Sequence, residues 1–308
     1  MRVLVTGGTG QLGTAVLRRL ATDRGITCLS GLCRRPAPRR APYAAVRWHL
    51  ADLAEASSEP VLAQAMSTVD AVVHLAWQAR PARDAERAWR TNVVGTRRVV
   101  EAAAAAGVGH LVYASSVGAY SRRGGAAPVD ESWPARGIPT SRFSREKAAV
   151  EAWLDLREGE LGLPVARIRP ALTYPPYLLR LPGGTGQPVL PLPAGITVQA
   201  VHAEDLAGAV AAALRWRAIG PFNLAAEPLS DRQVATLTGA RRLPPALLRA
   251  GLAAAYHARL AGTAPGWLDL AMGVPVLDAS RARRELGWRP YRGTGEALAA
   301  AGWVFSRA

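Results

Sequence analysis

The chain has 308 residues, 49% of them hydrophobic, which suits one large domain with a lobe, or two domains. The net charge is +15, but basic residues come as scattered pairs such as Arg18-Arg19, Arg97-Arg98 and Arg241-Arg242, not as a stripe interleaved with aromatics, which argues against nucleic-acid binding. No run of about 18 apolar residues and no charged leader before an apolar stretch is found, so no membrane association is expected and a cytoplasmic location follows by default.

In chain order, residues 2–6 read as a short buried strand, followed by a glycine turn and a helix over 11–21. Further strands are expected at 26–33, 46–48, 71–75, 110–115 and 164–169, with helices at 84–106 and 142–157. Apolar strands alternating with helices mean parallel βαβ units in a doubly wound sheet. After Arg169-Pro170 the texture changes. Residues 174–196 are rich in Pro and Gly and read as the start of a substrate lobe, and residues 246–260 read as an amphipathic lobe helix. The expected architecture is α/β: a Rossmann dinucleotide-binding domain over 1–172, a return of the chain to the sheet at about 197–225, and a smaller C-terminal substrate lobe over 173–308.

Of the 38 lysines and arginines, Lys147 alone is a lysine. With abundant Ala, Gly and Pro, this reads as the codon bias of a GC-rich genome. Cys28 and Cys33 read as free thiols near a buried strand. No His, Cys, Asp or Glu cluster has metal-ligand spacing, so no metal is expected.

Thr6-Gly7-Gly8-Thr9-Gly10-Gln11-Leu12-Gly13 lies between a strand and a helix. Gly7, Gly10 and Gly13 allow a tight turn, close approach of backbone to a pyrophosphate, and tight helix packing, with the helix N-terminus facing the phosphates. The second strand ends in Cys33-Arg34-Arg35. A carboxylate here would accept from ribose hydroxyls and repel a 2′-phosphate, whereas two guanidiniums favour one, so NADP(H) is expected in preference to NAD(H).

The glycine motif, Asp52-Leu53, His74-Leu75-Ala76, Asn92-Val93-Val94-Gly95-Thr96 and Tyr113-Ala114-Ser115-Ser116 resemble, in order and spacing, the extended short-chain dehydrogenase/reductases, the NAD-dependent epimerase/dehydratase group. The likeness continues through Asp130-Glu131-Ser132, Arg169-Pro170, Val201-His202-x-x-Asp205, Phe222-Asn223-Leu224 and Glu285-Leu286-Gly287-Trp288-x-Pro290, so it covers nearly the whole chain. The resemblance implies that Gly7, Gly10, Gln11, Leu12 and Gly13 hold the cofactor phosphates, that Asp52 and Leu53 contact the adenine, and that Leu75 and Ala76 lie on the cofactor-facing loop. It implies that Asn92 supports the active-site region and that Ser116 occupies the catalytic Ser/Thr position. It also suggests a homodimer formed through the helices at 84–106 and 142–157.

The family signature is Tyr-x-x-x-Lys, in which the Lys holds the nicotinamide ribose and lowers the phenol pKa so that it can exchange a proton with substrate. This chain reads Phe143-Ser144-Arg145-Glu146-Lys147. A lysine kept where every other cation became Arg points to an intact ribose site, since a compact ammonium fits where a planar guanidinium does not. Phe143 carries no proton, so Tyr-dependent hydride transfer should fall by a factor on the order of 10²–10⁴. Four readings follow: another acid (Tyr120, Tyr174, His202 or a water held by Ser116), a non-redox activity, a cofactor-binding sensor, or an introduced Tyr-to-Phe change.

Trp77, just after the cofactor loop, reads as core or as a substrate contact, and His74 as core. Ser115 and Ser116 lack the glycine elbow and partners of a serine hydrolase. The expected function is an NADP(H)-dependent oxidoreductase or epimerase acting on a small hydroxyl- or keto-bearing molecule, a nucleotide sugar or secondary metabolite, with atypical or impaired acid–base chemistry. The alternatives are a non-redox lyase, cyclase or isomerase on the same scaffold, or a catalytically silent dinucleotide-binding regulator.

Overall fold

Apolar runs become the middle of the sheet. The computed structural model describes residues 1–79, 84–125, 127–173 and 191–300. Its strands are β1 (Arg2–Thr6), β2 (Cys28–Cys33), β3 (Arg47–Leu50), β4 (Ala71–His74), β5 (Leu111–Ala114), β6 (Val165–Pro170), β7 (Leu192–Pro193), β8 (Thr197–Val198), β9 (Gly220–Leu224), β10 (Leu229–Ser230) and β11 (Arg242–Leu243). Seven of them form one sheet in the order β3-β2-β1-β4-β5-β6-β9, every pairing parallel. β4 and β6 are buried along their whole length, as a parallel strand covered on both faces requires.

The helices are α1 (Gln11–Ala21), α2 (Ser58–Met66), α3 (Ala85–Trp89), α4 (Gly95–Ala105), α5 (Arg142–Leu161), α6 (Ala203–Trp216), α7 (Asp231–Thr238), α8 (Pro245–His257), α9 (Gly266–Gly273), α10 (Ser280–Glu285) and α11 (Thr294–Ala300). On one face of the sheet Val3 and Val5 pack with Val16 and Leu17 of α1 and Leu206 and Val210 of α6. On the other, Leu4 and Leu32 pack with Leu62 of α2, Val99 of α4, and Val150 and Leu154 of α5. Each such side chain contributes about 1.5–3 kcal/mol when fully buried.

The expected strands and helices are present with shifted ends. The second strand begins at Cys28 because residues 26 and 27 lie before the pairing with β1, whose Arg2 faces Cys28. The helix from 142 runs on to Leu161, starting at Ser141, whose hydroxyl accepts from the Ser144 N–H, and ending at Gly162 with φ +59°. The long helix expected over 84–106 is three pieces: α3, a π-helical segment over Arg90–Val94, and α4. A π segment inside a helix re-aims side chains and is frequent at functional sites; here it carries Asn92. Neither α2 nor α6 was anticipated. The apolar stripe of α2 is short, and α6 is alanine-rich on several sides.

After β6 the chain leaves the sheet and returns through α6 to β9, which pairs with β6. Outside the sheet, β7 pairs with β11 and β8 with β10 over a small core that includes Ile196, Val198, Val234 and Leu298. Asp205 on α6 accepts from the Arg292 backbone N–H at 3.0 Å and from its guanidinium at 3.2 Å, while the Trp288 indole donates to the Asp205 carbonyl at 2.7 Å. The two motifs at 201–205 and 285–290 are thus one fastening. Among the described residues no helix is long and apolar enough to cross a membrane.

Candidate active site

Strand order reverses between β1 and β4, and the glycine loop sits at the carboxyl end of β1 beside that switch point. Gly7 has φ +69°, and a Cβ there would lie 2.6 Å from the Ala76 nitrogen. A Cβ on Gly13 would meet the Gly7 carbonyl and the Gly8 Cα. α1 opens at Gly10 with no side-chain cap and no acidic residue in its first turn, leaving a helix N-terminus suited to an anion. Leu12 is buried in the core, whereas Gln11 is exposed and borders a hollow of about 260 Å³ with Arg18, Thr173 and His202. His202 caps α6, its Nδ1 accepting from the Glu204 N–H at 3.1 Å.

Arg34 and Arg35 follow β2, are exposed, and have no ion-pair partner among the described residues. A second hollow of about 360 Å³ lies against Pro36–Arg39, Tyr43 and Trp48. The Asp52 carboxylate is already engaged, accepting from Ala54 N–H at 3.1 Å and Arg87 Nη2 at 2.6 Å. Leu53 is buried beneath Gly95, where a Cβ would come within 2.8 Å of it. Past β4, the Ala76 N–H donates to Thr6 Oγ1 at 3.3 Å, and the Leu75 N–H to the Thr6 carbonyl at 3.2 Å.

His74 is buried between Thr6 and Thr96, its Nδ1 2.6 Å from one hydroxyl and its Nε2 2.9 Å from the other. Burial, reinforced by the Lys147 charge, pushes its pKa down to about 3, so it is a neutral strut. Asn92 clamps the loop beyond β4: its Oδ1 accepts from Gln78 N–H at 2.6 Å, and its Nδ2 donates to the Gln78 carbonyl at 3.3 Å and to Glu146 at 2.7 Å.

Phe143, Lys147 and Glu151 stand on successive turns of one face of α5. Lys147 is buried, with Nζ 2.6 Å from the Ala114 carbonyl, 3.3 Å from the Tyr113 hydroxyl and 3.4 Å from the centre of the Trp77 ring. Burial holds its pKa well below the usual lysine value, opposed by Glu151 and Glu146. The Phe143 ring centre lies 6.1 Å from that of Trp77, edge-on, and 5.3 Å from that of Trp267 on α9. A Cβ on Gly118 would come 2.9 Å from Phe143, and the Gly118 N–H donates to Ser116 Oγ at 3.0 Å. Ser116, Phe143, Lys147 and Trp77 are therefore gathered at the ends of β4 and β5.

The model of the NAD dependent epimerase/dehydratase family matches residues 3–225. The chain belongs to this family. A UDP-glucose 4-epimerase of Mycolicibacterium smegmatis is 32% identical over 57% of this chain and 57% of its own length. A putative dihydroflavonol 4-reductase of Synechocystis sp. is 28% identical over 60% of this chain and 53% of its own. Both matches span just over half of those proteins. The crystal structure of a UDP-glucose 4-epimerase of Thermus thermophilus in complex with NAD superposes with a TM-score of 0.73 at 25% identity, covering 98% of this chain and 97% of that one.

In this epimerase/dehydratase-family chain, the motif residues with no stated role form a buried network behind the site. Glu151 is joined to Arg169, to Arg167 at 3.1 Å, and to the Ser115 hydroxyl. Arg169 also donates to the Tyr120 hydroxyl at 2.9 Å, Tyr120 donates to Asn223 Oδ1 at 2.7 Å, and the Asn223 N–H donates to Glu131 at 2.8 Å. This corrects the expectation for Tyr120 as an alternative acid. It is fully buried, its hydroxyl is spent, and burial, partly offset by Arg169, pushes its pKa up to about 12. Tyr174 lies outside the described residues. Sequence reasoning missed Glu151 and Trp267. The spacing 143, 147, 151 was available as a signal for Glu151; nothing local marked Trp267.

Proposed function

We propose that this chain is an NADP(H)-dependent oxidoreductase or epimerase that acts on a small hydroxyl- or keto-bearing substrate, a nucleotide sugar or a secondary metabolite, with acid–base chemistry altered at Phe143. The observation that carries it is continuity: the Gly7 turn touches Ala76, and Trp77, the next residue, touches Lys147. Phosphate cradle and lysine thus border one surface at the carboxyl ends of the strands, where doubly wound sheets bind ligands.

The cradle fits a dinucleotide pyrophosphate, because it leaves room only for backbone and presents an uncapped helix start. Arg34 and Arg35, exposed and without an ion-pair partner among the described residues, support a cofactor that carries a 2′-phosphate. The bound cofactor supplies hydride transfer. Lys147 would hold the ribose, and Ser116, whose oxygen already accepts from Gly118, keeps its own O–H to donate to a substrate oxygen. With Phe143 unable to move a proton, the Ser116 hydroxyl, a water beside it and the Lys147 ammonium are the groups left to do so. The homodimer through α4 and α5 belongs to this reading and is read out by sedimentation.

Calorimetric titration with NADPH, NADP⁺, NADH and NAD⁺ tests the proposal. The expected result is tighter binding of NADP(H), weakened at least about tenfold, or about 1.4 kcal/mol, by Arg34→Asp. Absence of binding by all four dinucleotides refutes it. One observation favours a second reading, a non-redox lyase, cyclase or isomerase: Phe143 packs between Trp77 and Trp267, so an apolar wall stands where the family places its phenol.

A further inference from the structure

The Lys147 ammonium has three N–H donors. One goes to the Ala114 carbonyl at 2.6 Å and one to the Tyr113 hydroxyl at 3.3 Å. The third direction is closed by the Trp77 indole, whose ring centre is 3.4 Å from Nζ, well inside the roughly 6 Å reach of a cation–π contact. In this arrangement no donor is left for a ribose hydroxyl. Trp77 is itself incompletely satisfied. Its Nε1–H is buried with no hydrogen-bond partner among the described residues, although the residue as a whole is half-buried. The neighbouring Gln78 backbone is clamped on both its N–H and its carbonyl by Asn92. Release of Lys147 therefore asks for rotation of the indole about its own side-chain bonds, with loss of its edge contact to Phe143, while the loop stays clamped.

We propose that Trp77 is a plug on Lys147: its ring face holds the ammonium in the free protein and yields that place to the ribose of the incoming dinucleotide. The proposal rests on the cofactor reading above and adds a competitor to it. Trp77 thereby sets cofactor affinity from a position outside the phosphate cradle. The unpaired indole N–H marks the plugged arrangement as the one the ring can leave, since rotation toward the ligand opens it to a partner.

The single lysine makes the test direct, because protein labelled with ¹³C at the lysine ε carbon gives one lysine ε-CH₂ signal. In the free protein the ε protons should lie upfield of free lysine, shifted by the ring current of Trp77. Saturation with NADP⁺ should move them back downfield. Trp77→Leu should show the ordinary position without ligand and bind NADP⁺ about tenfold tighter, the worth of a buried cation–π contact. Trp77→Phe, which keeps a smaller ring, should fall between. An ordinary ε shift in the free wild type overturns the plug. So does a shift that stays put at saturation while calorimetry records binding, or weaker NADP⁺ binding by both variants. No heat from any of the four dinucleotides with wild type and variants alike overturns the cofactor reading and the plug with it. That outcome is recognisable because calorimetry, not the lysine signal, fails.

Discussion

Arg169 forks onto Glu151 in the interior, Nε to Oε1 and Nη2 to Oε2, each at 2.9 Å, with both side chains buried. Two parallel charge-assisted bonds are the geometry in which burying ions costs least. Removing Arg169 leaves the buried Glu151 carboxylate with Arg167 and the Ser115 hydroxyl alone, so Arg169→Leu should destabilise the fold by up to about 3–5 kcal/mol. Urea unfolding followed by circular dichroism reads this directly; a loss under about 1 kcal/mol would contradict it. Burial pushes the Glu151 pKa up, but Arg169, Arg167 and Ser115 outweigh it and hold the carboxyl below its ordinary value. Its contribution is then present above the unfolded pKa and lost as pH falls through the lower folded value. Arg169→Leu should therefore flatten the acid limb of the stability profile.

His74 gives a second pH signature in a higher window. Its folded pKa is about 3 against an ordinary 6.5. Between those values the unfolded chain binds a proton that the folded chain refuses, so stability falls as pH drops below about 6.5 and is flat above it. His74→Gln removes that slope. Between about pH 7 and about pH 5.5, wild type should lose about 1 kcal/mol more than the variant. Equal losses would mean that His74 is protonated in the fold.

Gly13→Ala tests the cradle. The added methyl would run into the Gly7 carbonyl and the Gly8 Cα, so the loop has to shift. Dinucleotide binding by calorimetry should be lost, with a thermal midpoint lowered by several degrees, corresponding to about 1–2 kcal/mol. Retained affinity would place the cofactor elsewhere.

Phe143→Tyr tests the missing phenol. On the oxidoreductase reading, turnover with a small ketone and NADPH should rise by about 10²-fold or more. Flat or lower turnover would identify the contact of Phe143 with Trp77 and Trp267 as a working apolar wall and favour the non-redox reading.

The sheet was legible because its strands are apolar runs at βα spacing, and the cradle because Gly7, Gly10 and Gly13 fall between a strand and a helix. The π segment was not, since Arg90–Val94, made mostly of β-branched residues and Asn, carries no pattern that tells a π turn from a weak stretch of α-helix, and only the clamp of Asn92 on Gln78 and Glu146 shows what the extra residue achieves. The engagement of Asp52 by Arg87 was equally hidden, because it joins the end of one βα unit to the start of a distant helix. Tyr120 was misjudged as reachable: an ionisable side chain near Ser116 in sequence turned out to face Arg169 and Asn223. Local pattern reports which face of an element is apolar, not which polar groups meet across elements.

The sheet takes its last strand, β9, from beyond the excursion that follows β6. A fragment stopped at residue 172 would leave Val165–Pro170, buried along its whole length in the intact sheet, as a bare edge and strip Leu206, Val210 and Phe222 from the core shared with Val3 and Val5. Open edges of that kind template association between chains. The lobe therefore cannot be exchanged as one terminal cassette. Recombination that preserves a foldable chain has to replace two separate inserts, one between β6 and α6 and one after β9, and keep the strand that joins them.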